Sequence, residues 1–257
     1  MLWMYSLQQL FARVFTFFQL MPTVIFQDLG RMAYQQAWDY QTELHRELVQ
    51  RKLANQQARK DDLPLEAQRH YLLFCEHPPV YTLGKSGSVD HLLLPEDELL
   101  RQGFSFFKIN RGGDITYHGP GQIVGYPIFD LDEFFTDVHR YVRYIEEAVI
   151  RTLVEYGIEA IRVPAYTGVW LPATPTLPLR KICAIGVHLS RWVSMHGFAF
   201  NINTDLSHFN HIVPCGIADA DKAVTSLAVE LGSPADTAEV KQKLKQHFAQ
   251  LFGFDFG

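Results

Sequence analysis

Strand-like patterns of apolar residues recur along most of the chain after residue 22. The segments are short, rich in β-branched and aromatic residues, and bounded by glycine, proline or polar residues, which is typical of strands. They read TVIFQDLG, HYLLFCEH, VYTLG, FSFFKIN, DITYHG, QIVGYPIFDL, GIEAIRV, TGVWL, KICAIGVHL and MHGFAFNIN.

Helical patterns interrupt these strands at three main places. The first helix carries apolar positions at three- and four-residue steps, with polar residues such as Lys52 between them; the stripe is Tyr34, Ala37, Gln41, Leu44 and Leu48. A second stripe ends before Gly157 and comprises Val138, Tyr141, Val142, Ile145, Val149, Leu153 and Tyr156. A third helix begins at Asp236, which forms a capping-box pattern with Glu239. A short helical piece is predicted at residues 95–101.

The predicted strands outnumber the helices and do not alternate with them strictly. This order favours an α/β fold of the α+β type, with a mixed β-sheet flanked by helices, over a doubly wound parallel sheet. We find no internal repeat and no low-complexity linker. Residues 171–180 hold three prolines and are predicted to form an exposed loop between two strands. Residues 23–257 are therefore predicted to form a single domain.

Residues 1–22 form an apolar N-terminal extension that does not fit this pattern. Three interpretations stay open: an extension without function that precedes a start at Met21, an amphipathic helix on the protein or a membrane surface, and a targeting signal. The charge-free stretch after Arg13, residues 14–27, is too short to span a bilayer as a helix. Membrane contact is not expected.

Composition narrows the classes of function. Of 257 residues, 47% are apolar and 20% are charged, which suits a globular domain with a sizeable core. The net charge of −5 argues against nucleic-acid binding, which requires a basic face. The three cysteines are odd in number and lack metal-ligand spacing, so we expect no metal site, no disulfide framework and a reducing, cytoplasmic setting.

The stretch RGGDITYHGPGQ, which begins at Arg111, combines glycines with polar residues inside a strand-like segment. Two tight hairpin turns would explain the glycines, and the stretch lacks the spacing of a phosphate-binding loop. The polar side chains Arg111, Thr116, His118 and Gln122 instead require a ligand or a hydrogen-bond network, because they lie within an otherwise apolar sheet.

The cysteines and one lysine are candidates for nucleophilic chemistry. Cys75 and Cys183 lie in apolar strands and are expected to be buried structural thiols. Cys215 lies between Pro214 and Gly216, outside regular structure, and is the candidate nucleophile. Activation requires a nearby cation; the candidates are Lys181, His118, His188, His196, His208 and His211. Lys181 opens an apolar strand, where burial would suit proton exchange.

Four motifs in this order resemble the lipoyl(octanoyl) transferase family. They are R-G-G-x-x-T-Y-H-G-P-G-Q, K-I-x-A-I-G, H-G-x-A-x-N-x-N and P-C-G-I, and the likeness covers about residues 23 to 230. The resemblance implies a fold shared with biotin and lipoate protein ligases. It also implies transfer of an octanoyl group from acyl carrier protein to a lysine of a lipoyl domain, through a cysteine thioester and without a further cofactor.

Site residues follow from the matched motifs. The resemblance makes Cys215 the nucleophile that carries the acyl thioester and Lys181 the general acid and base. It implies an acyl pocket lined by three stretches: Arg111, Gly112, Gly113, Asp114, Ile115, Thr116, Tyr117 and His118; Ala184, Ile185 and Gly186; and Gly197, Phe198 and Ala199. We expect the glycines to let the alkyl chain lie along the sheet between walls such as Ile115 and Tyr117. Alternation along the strand predicts that Cys183 shares the face of Lys181.

Partners and alternatives also follow. The implied donor is acyl carrier protein, and the implied acceptors are lipoyl domains of 2-oxoacid dehydrogenase E2 subunits and the glycine cleavage H protein. Two other readings stay open, an ATP-dependent lipoate or biotin ligase and a non-catalytic module that binds acyl carrier or lipoyl domains. The sequence leaves chain-length preference, the acceptor, the oligomeric state and the roles of His118, His188 and His196 undecided.

Overall fold

A computed structural model of the chain describes residues 21–213 and 221–257. The predicted extension at residues 1–22 therefore lies, except for its last two residues, outside the described part. Helices are α1 (Tyr34–Lys60), α2 (Glu96–Arg101), α3 (Val138–Val154), α4 (Leu227–Leu231) and α5 (Thr237–Phe252). Strands are β1 (Thr23–Arg31), β2 (His70–Glu76), β3 (Val80–Leu83), β4 (Ser105–Lys108), β5 (Ile115–His118), β6 (Gln122–Ile128), β7 (Ile161–Val163), β8 (Tyr166–Leu171), β9 (Leu179–Ser190), β10 (Val193–Asn201), β11 (Lys222–Val224) and β12 (Asp255–Phe256).

A large mixed sheet forms the centre of the fold. Its strand order is β12-β1-β2-β6-β10-β9-β8-β7, and β11 pairs with β9. The pairs β1–β12, β1–β2 and β9–β11 are parallel, whereas the remaining neighbours are antiparallel. The prediction of a mixed sheet flanked by helices is confirmed.

The main core fills the space between one face of this sheet and the helices α3 and α5. The stripe predicted for α3 supplies Tyr141, Ile145 and Val149, while α5 supplies Leu244 and Phe248. These side chains bury apolar surface, which is the main favourable contribution to folding. Residues 171–180 do connect two strands, and most of this connection is exposed as predicted.

The opposite face of the sheet is covered by α1 and by a second, smaller sheet. Ala37, Leu44 and Leu48 of α1 pack on β2 and β6. The smaller sheet has the order β4-β3-β5, with β3 parallel to β4 and antiparallel to β5. It stands over the main sheet near the start of α1, and the gap between the two sheets contains the candidate site.

Helix ends follow the predicted signals in part. The Asp236 side chain accepts hydrogen bonds from the backbone N–H groups of Ala238 and Glu239, which caps α5 as expected. The Glu239 carboxylate pairs instead with Lys243, one turn further on. Gly157 follows α3 in a left-handed conformation, with φ of 71°.

Lys52 was predicted on the polar side of α1, and this is wrong. Its side chain is buried, and its Nζ lies 2.7 Å from Oδ1 of buried Asp130. The pattern of apolar residues could not reveal this pair, because the partner carboxylate comes from a distant part of the chain. Strands β11 and β12 and helix α4 were also absent from the prediction, since each is five residues or shorter.

Candidate active site

A cavity of about 40 Å³ lies between the main sheet and the smaller sheet. The main sheet contributes small residues from β9 and β10, and the smaller sheet contributes Thr116 and His118 from β5. The walls therefore come from two layers that are each rigidly hydrogen-bonded. A binding site built on such elements is positioned more precisely than one built on loops alone.

Four small residues on adjacent strands form the floor of the cavity: Ala184, Gly186, Gly197 and Ala199. Ala184 pairs with Ala199, and Gly186 pairs with Gly197 across the antiparallel ladder. Larger side chains at the two alanines would occupy the cavity, whereas a Cβ on Gly197 would clash with the Gly125 carbonyl oxygen of β6. The structure thus places the predicted A-I-G and H-G-x-A stretches together along one cavity, with Ile185 and Phe198 also in its lining.

The R-G-G segment closes over the floor by backbone contact. The N–H of Gly112 donates to the Val187 carbonyl across a distance of 2.9 Å. A Cβ on Gly186 would lie 2.6 Å from the Gly112 carbonyl oxygen, so a larger residue there would push the segment away. Gly113 contributes to the cavity wall. Gly186 therefore allows the close approach of the two backbones, which the Gly112 N–H joins by its hydrogen bond.

Arg111 is buried and anchors this segment to the smaller sheet. Its Nη2 donates to the Thr82 carbonyl at 2.6 Å and to the Thr82 hydroxyl at 3.0 Å. The same hydroxyl lies 3.2 Å from Nε2 of His118, whose Nδ1 lies 3.0 Å from Oε1 of Gln122. Gln122 then donates to Asn201 at 2.8 Å. Of the four polar residues singled out, Arg111, His118 and Gln122 thus lie in a hydrogen-bond network, and Thr116 lines the cavity. Thr82 and Asn201 are network members that the sequence did not predict.

Two histidines in the cavity wall are held in their neutral form. Burial, His77 and the positive charge of Arg111 lower the pKa of His118 well below its usual value. Burial and Arg111 likewise lower the pKa of His196 to about 3. His196 Nε2 lies 2.8 Å from Oδ1 of Asn110, and its backbone adopts a positive φ of 61°. Neither histidine is therefore the cation that a thiolate would require near neutral pH.

The other candidate histidines lie on different surfaces. His208 and His211 pack around Phe104 on the far side of the smaller sheet. His188 lines an outer groove beside Trp38. Of the remaining predicted cations, Lys181 lies in a small pocket that adjoins the cavity.

Lys181 is buried, with 6% of its surface exposed, and lies beside the cavity. A small pocket that it shares with Thr116, Ala184 and Ala199 adjoins the cavity through those three residues. Its Nζ lies 4.6 Å from the centre of the Trp170 ring. An aromatic face stabilises a cation where water is excluded. Lys181 is thus buried as expected, but its pocket also contains the polar side chains of Gln122 and Asn201. Trp170 is a contact that the sequence did not reveal.

Cys183 was predicted to share the face of Lys181, and this is wrong. Val169 of β8 pairs with Cys183 of β9, but the next residue, Trp170, pairs with Lys181, which is two residues away from Cys183. Strand β9 therefore contains one extra residue at this point, a β-bulge. Ile182 and Cys183 consequently both lie in the main core, whereas Lys181 and Ala184 both line the small pocket. A bulge of this kind breaks the two-residue alternation on which the prediction relied.

Ile115 and Tyr117 were predicted as walls of the alkyl pocket, and this is also wrong. Both side chains lie on the other face of β5, in a separate core with Tyr81 and Phe104. Thr116 and His118 face the cavity instead, as alternation requires. Asp114 contacts His91 and lines an open groove of about 420 Å³ that also reaches Lys181, Gly112 and Gly186.

The predicted buried thiols are confirmed. Cys75 lies in the core under α1, with its Sγ 3.5 Å from His77 Nε2, and Cys183 lies in the main core. Burial raises the pKa of both thiols. Cys215, the predicted nucleophile, lies outside the described residues. The described chain resumes at residue 221, and Val224 of β11 pairs with Lys181.

The aromatic end of the cavity was not anticipated. Tyr34, the first residue of α1, lines the cavity together with Val124 and Tyr126 of β6. Tyr34 belongs to the predicted helical stripe, but its position at the start of the helix turns it towards the smaller sheet. Among residues 21–213 and 221–257, no three or more His, Cys, Asp or Glu side chains form a potential metal site, and no helix is long and apolar enough to cross a membrane.

Comparison with known proteins gives a consistent set of relatives. Residues 33–249 match the family described as lipoyl protein ligase A/B catalytic domain. An octanoyltransferase of Cytophaga hutchinsonii is 54% identical over 90% of this chain and 93% of its own length. An octanoyltransferase of Flavobacterium johnsoniae is 56% identical over 88% of this chain and 95% of its own length.

Solved structures agree on the fold. A bi-partite lipoate protein ligase from Thermoplasma acidophilum superimposes with a TM-score of 0.65 over 92% of this chain and 86% of that one, at 16% identity. At this low identity the similarity concerns the architecture alone. It supports the arrangement of a mixed sheet with flanking helices that the resemblance implied.

Proposed function

The chain belongs to the lipoyl protein ligase A/B catalytic-domain family, and on this basis we propose that it is an octanoyltransferase acting in protein lipoylation. Relatives more than 50% identical over most of their length carry that name. The observation that carries the proposal is the position of Lys181, a buried lysine beside a cavity whose floor consists of alanine and glycine. An unbranched acyl chain fits such a floor, and a lysine at one end suits proton transfer there.

The proposed donor is an octanoyl thioester of acyl carrier protein, and the proposed acceptor is a lysine of a lipoyl domain, either of a 2-oxoacid dehydrogenase E2 subunit or of a glycine cleavage H protein. No cofactor takes part beyond the phosphopantetheine of the donor. The open groove beside Lys181 offers a route for these partners to the site. We place the reaction in the cytoplasm, where free thiols such as Cys75 and Cys183 persist.

The first half-reaction transfers the acyl group to the enzyme. The Cys215 thiolate attacks the thioester carbonyl, the new carbon–sulfur bond forms, and the bond to the carrier sulfur breaks. The Lys181 ammonium gives its proton to the departing carrier thiolate. A thiolate suits this role because it is both a good nucleophile and a good leaving group.

The second half-reaction transfers the acyl group to the acceptor lysine. Its neutral amine attacks the Cys215 thioester, an amide bond forms, and the Cys215 thiolate leaves. Lys181, now neutral, accepts the proton that the amine loses. The enzyme returns to its starting state, with a thiolate and an ammonium, so the two half-reactions balance without an oxidant or a nucleotide.

Intact-protein mass spectrometry tests this proposal. The chain is mixed with octanoyl-acyl carrier protein and compared with Cys215→Ser and, as a matched control, Cys183→Ser. We expect a gain of one octanoyl group in the wild-type protein and in Cys183→Ser, and no gain in Cys215→Ser. A gain that survives in Cys215→Ser contradicts the thioester. Acylation of a lipoyl domain that requires ATP and free octanoate would favour a ligase instead.

A further inference from the structure

The cavity runs parallel to the strands of the main sheet. Gln122, Val124 and Tyr126 alternate with core residues along β6 and therefore share one face. Gln122 lines the small pocket with Lys181, whereas Val124 and Tyr126 line the cavity. Gln122 and Tyr126 are four residue steps apart along the strand, a distance of about 13 Å. The cavity thus extends from the pocket of Lys181 towards Tyr126.

Two tyrosines, Tyr34 and Tyr126, line the cavity away from Lys181. Tyr34 is 5% exposed, and its ring stacks on His118 with an interplanar angle of 13° and centroids 6.0 Å apart. It also contacts the rings of Phe107 and His77, each with centroids 5.2 Å away. These contacts on several sides fix the ring. A longer ligand could displace it only if these packing contacts were lost.

Tyr126 is fixed by hydrogen bonds. Its hydroxyl donates to His77 Nε2 across 2.7 Å, and His77 Nδ1 donates to the Met32 carbonyl across 2.7 Å. Burial lowers the pKa of His77, which keeps the imidazole neutral and able to accept this bond. His77 therefore supports both tyrosines, Tyr34 through ring contact and Tyr126 through its hydroxyl.

Apolar side chains lie behind Tyr34. Trp38, one turn further along α1, has its ring centroid 6.4 Å from that of Tyr34, and Phe107 also packs against Tyr34. Trp38 also borders two surface grooves. Removal of the Tyr34 ring would therefore join the cavity to further apolar surface, whereas Tyr126 is backed by the polar His77.

We propose that Tyr34 sets the upper limit of acyl-chain length, with its ring acting as the end wall of the cavity. The proposal rests on the octanoyltransferase function above and names the residue that makes octanoyl the longest well-accommodated chain. A ring at this position blocks the two methylene groups of the next even-numbered chain. Each methylene contributes roughly 10–200-fold to discrimination in an apolar pocket.

The test compares donors that carry octanoyl, decanoyl and dodecanoyl groups on the same acyl carrier protein, with kcat/KM measured for each. We expect Tyr34→Ala to raise the ratio of dodecanoyl to octanoyl transfer by about tenfold or more. Tyr34→Phe keeps the ring and should keep the wild-type ratio. Tyr40→Ala removes a tyrosine from the same helix that bonds to Gln27, away from the cavity, and should also keep it.

A second variant tests the opposite direction. Val124 lies between Gln122 and Tyr126 on the cavity face of β6, so Val124→Leu shortens the free length. We expect the ratio of hexanoyl to octanoyl transfer to rise in this variant. Should Tyr34→Ala fail to fold, as judged by circular dichroism, Tyr34→Leu retains bulk in the core and removes the end of the ring.

The outcomes separate this inference from the proposed function. If the wild-type protein transfers octanoyl groups and neither Tyr34→Ala nor Tyr34→Leu changes the chain-length ratio, the inference is wrong. If the wild-type protein transfers no octanoyl group, the proposed function is wrong. The inference is then decided by calorimetry, which measures the affinity of the wild-type protein and of Tyr34→Ala for octanoate and for dodecanoate. A higher affinity for dodecanoate in the variant alone supports the inference. An equal ratio of the two affinities in both proteins overturns it.

Discussion

The Lys181 ammonium lies 4.6 Å above the ring of Trp170, on the strand next to its own. Trp170 is fully buried, and its indole N–H donates to the Tyr166 carbonyl at 3.2 Å, which helps to fix its position. The ring provides a rigid support for a buried cation, and the register shift in β9 directs that cation away from the core and into the site. The orientation of Lys181 is thus a property of two strands and their bulge.

Replacement of Lys181 by arginine should separate charge from proton transfer. Arginine keeps a cation that stacks well on an aromatic ring, but it does not release a proton near neutral pH. We expect Lys181→Arg to lose about 100-fold or more of the octanoyl-transfer rate, the lower range for general acid–base catalysis. Initial rates with a lipoyl domain as acceptor measure this loss, with thermal unfolding as the check on folding. Activity near the wild-type level would contradict a proton-transfer role.

The Thr82 hydroxyl joins Arg111 to His118, and its removal should destabilise the protein. Thr82→Val keeps the shape of the side chain but leaves buried donors and an imidazole nitrogen without this partner. We expect a loss of about 1–3 kcal/mol in the free energy of unfolding. Urea denaturation measures it. Thr82→Ser, which keeps the hydroxyl, should lose less, and equal losses in both variants would show that the hydroxyl is not the cause.

His196 should make the fold sensitive to acid. Its pKa is lowered to about 3 in the folded protein, against about 6.5 in the unfolded chain. The unfolded chain therefore binds more protons below pH 6.5, and stability falls as the pH falls from about 6.5 towards 3. At pH 5 the loss from this one group is roughly 2 kcal/mol relative to pH 8.

The measurement for His196 compares urea denaturation at pH 8 and pH 5. His196→Asn, which tolerates a positive φ better than most residues, should lose about 2 kcal/mol less than the wild-type protein between these values. His139→Asn, at an exposed position of α3, serves as the control and should behave like the wild-type protein. His118 adds a shift of the same sign, since its pKa is also lowered.

The two described cysteines should resist alkylation in the native protein. Cys75 and Cys183 are fully buried, and burial raises the pKa of both thiols, so that the reactive thiolate is scarce. Peptide mapping after treatment with iodoacetamide should find both unmodified under native conditions and modified in urea. Labelling of native Cys183 at the rate seen in urea would mean that the core around β9 opens readily.

The sequence predicts most of the long elements because their apolar periodicity reflects burial directly. The stripe of α1 and the ends of α3 and α5 follow from residues close together in the chain. The face of Cys183 does not follow, because the bulge depends on pairing with β8. The same limit applies to Thr82 and Trp170. Each lies at the site because its strand pairs with a strand that carries site residues, and this pairing is not visible in the sequence.

The site was likewise only partly predictable. The motifs locate Arg111, Lys181 and the small floor residues, since these positions are distinctive by residue type. Alternation along β5 separates Thr116 and His118 from Ile115 and Tyr117, but the sequence alone does not indicate which face meets the main sheet. Tyr34 carries no motif, and its contribution depends on where α1 begins.

Because the cavity runs along the strands, the spacing of side chains on the sheet limits how closely the sheet can match the length of a ligand. Side chains on one face of a strand recur about every 6.8 Å, and this step is much longer than one carbon–carbon bond. A substitution along β6 or β10 therefore changes the available length coarsely. Discrimination between chains that differ by two carbons must depend on the bulk of whichever side chain stands at the end. In relatives with the same floor, a change at the first position of α1 could alter substrate range without any change in the sheet.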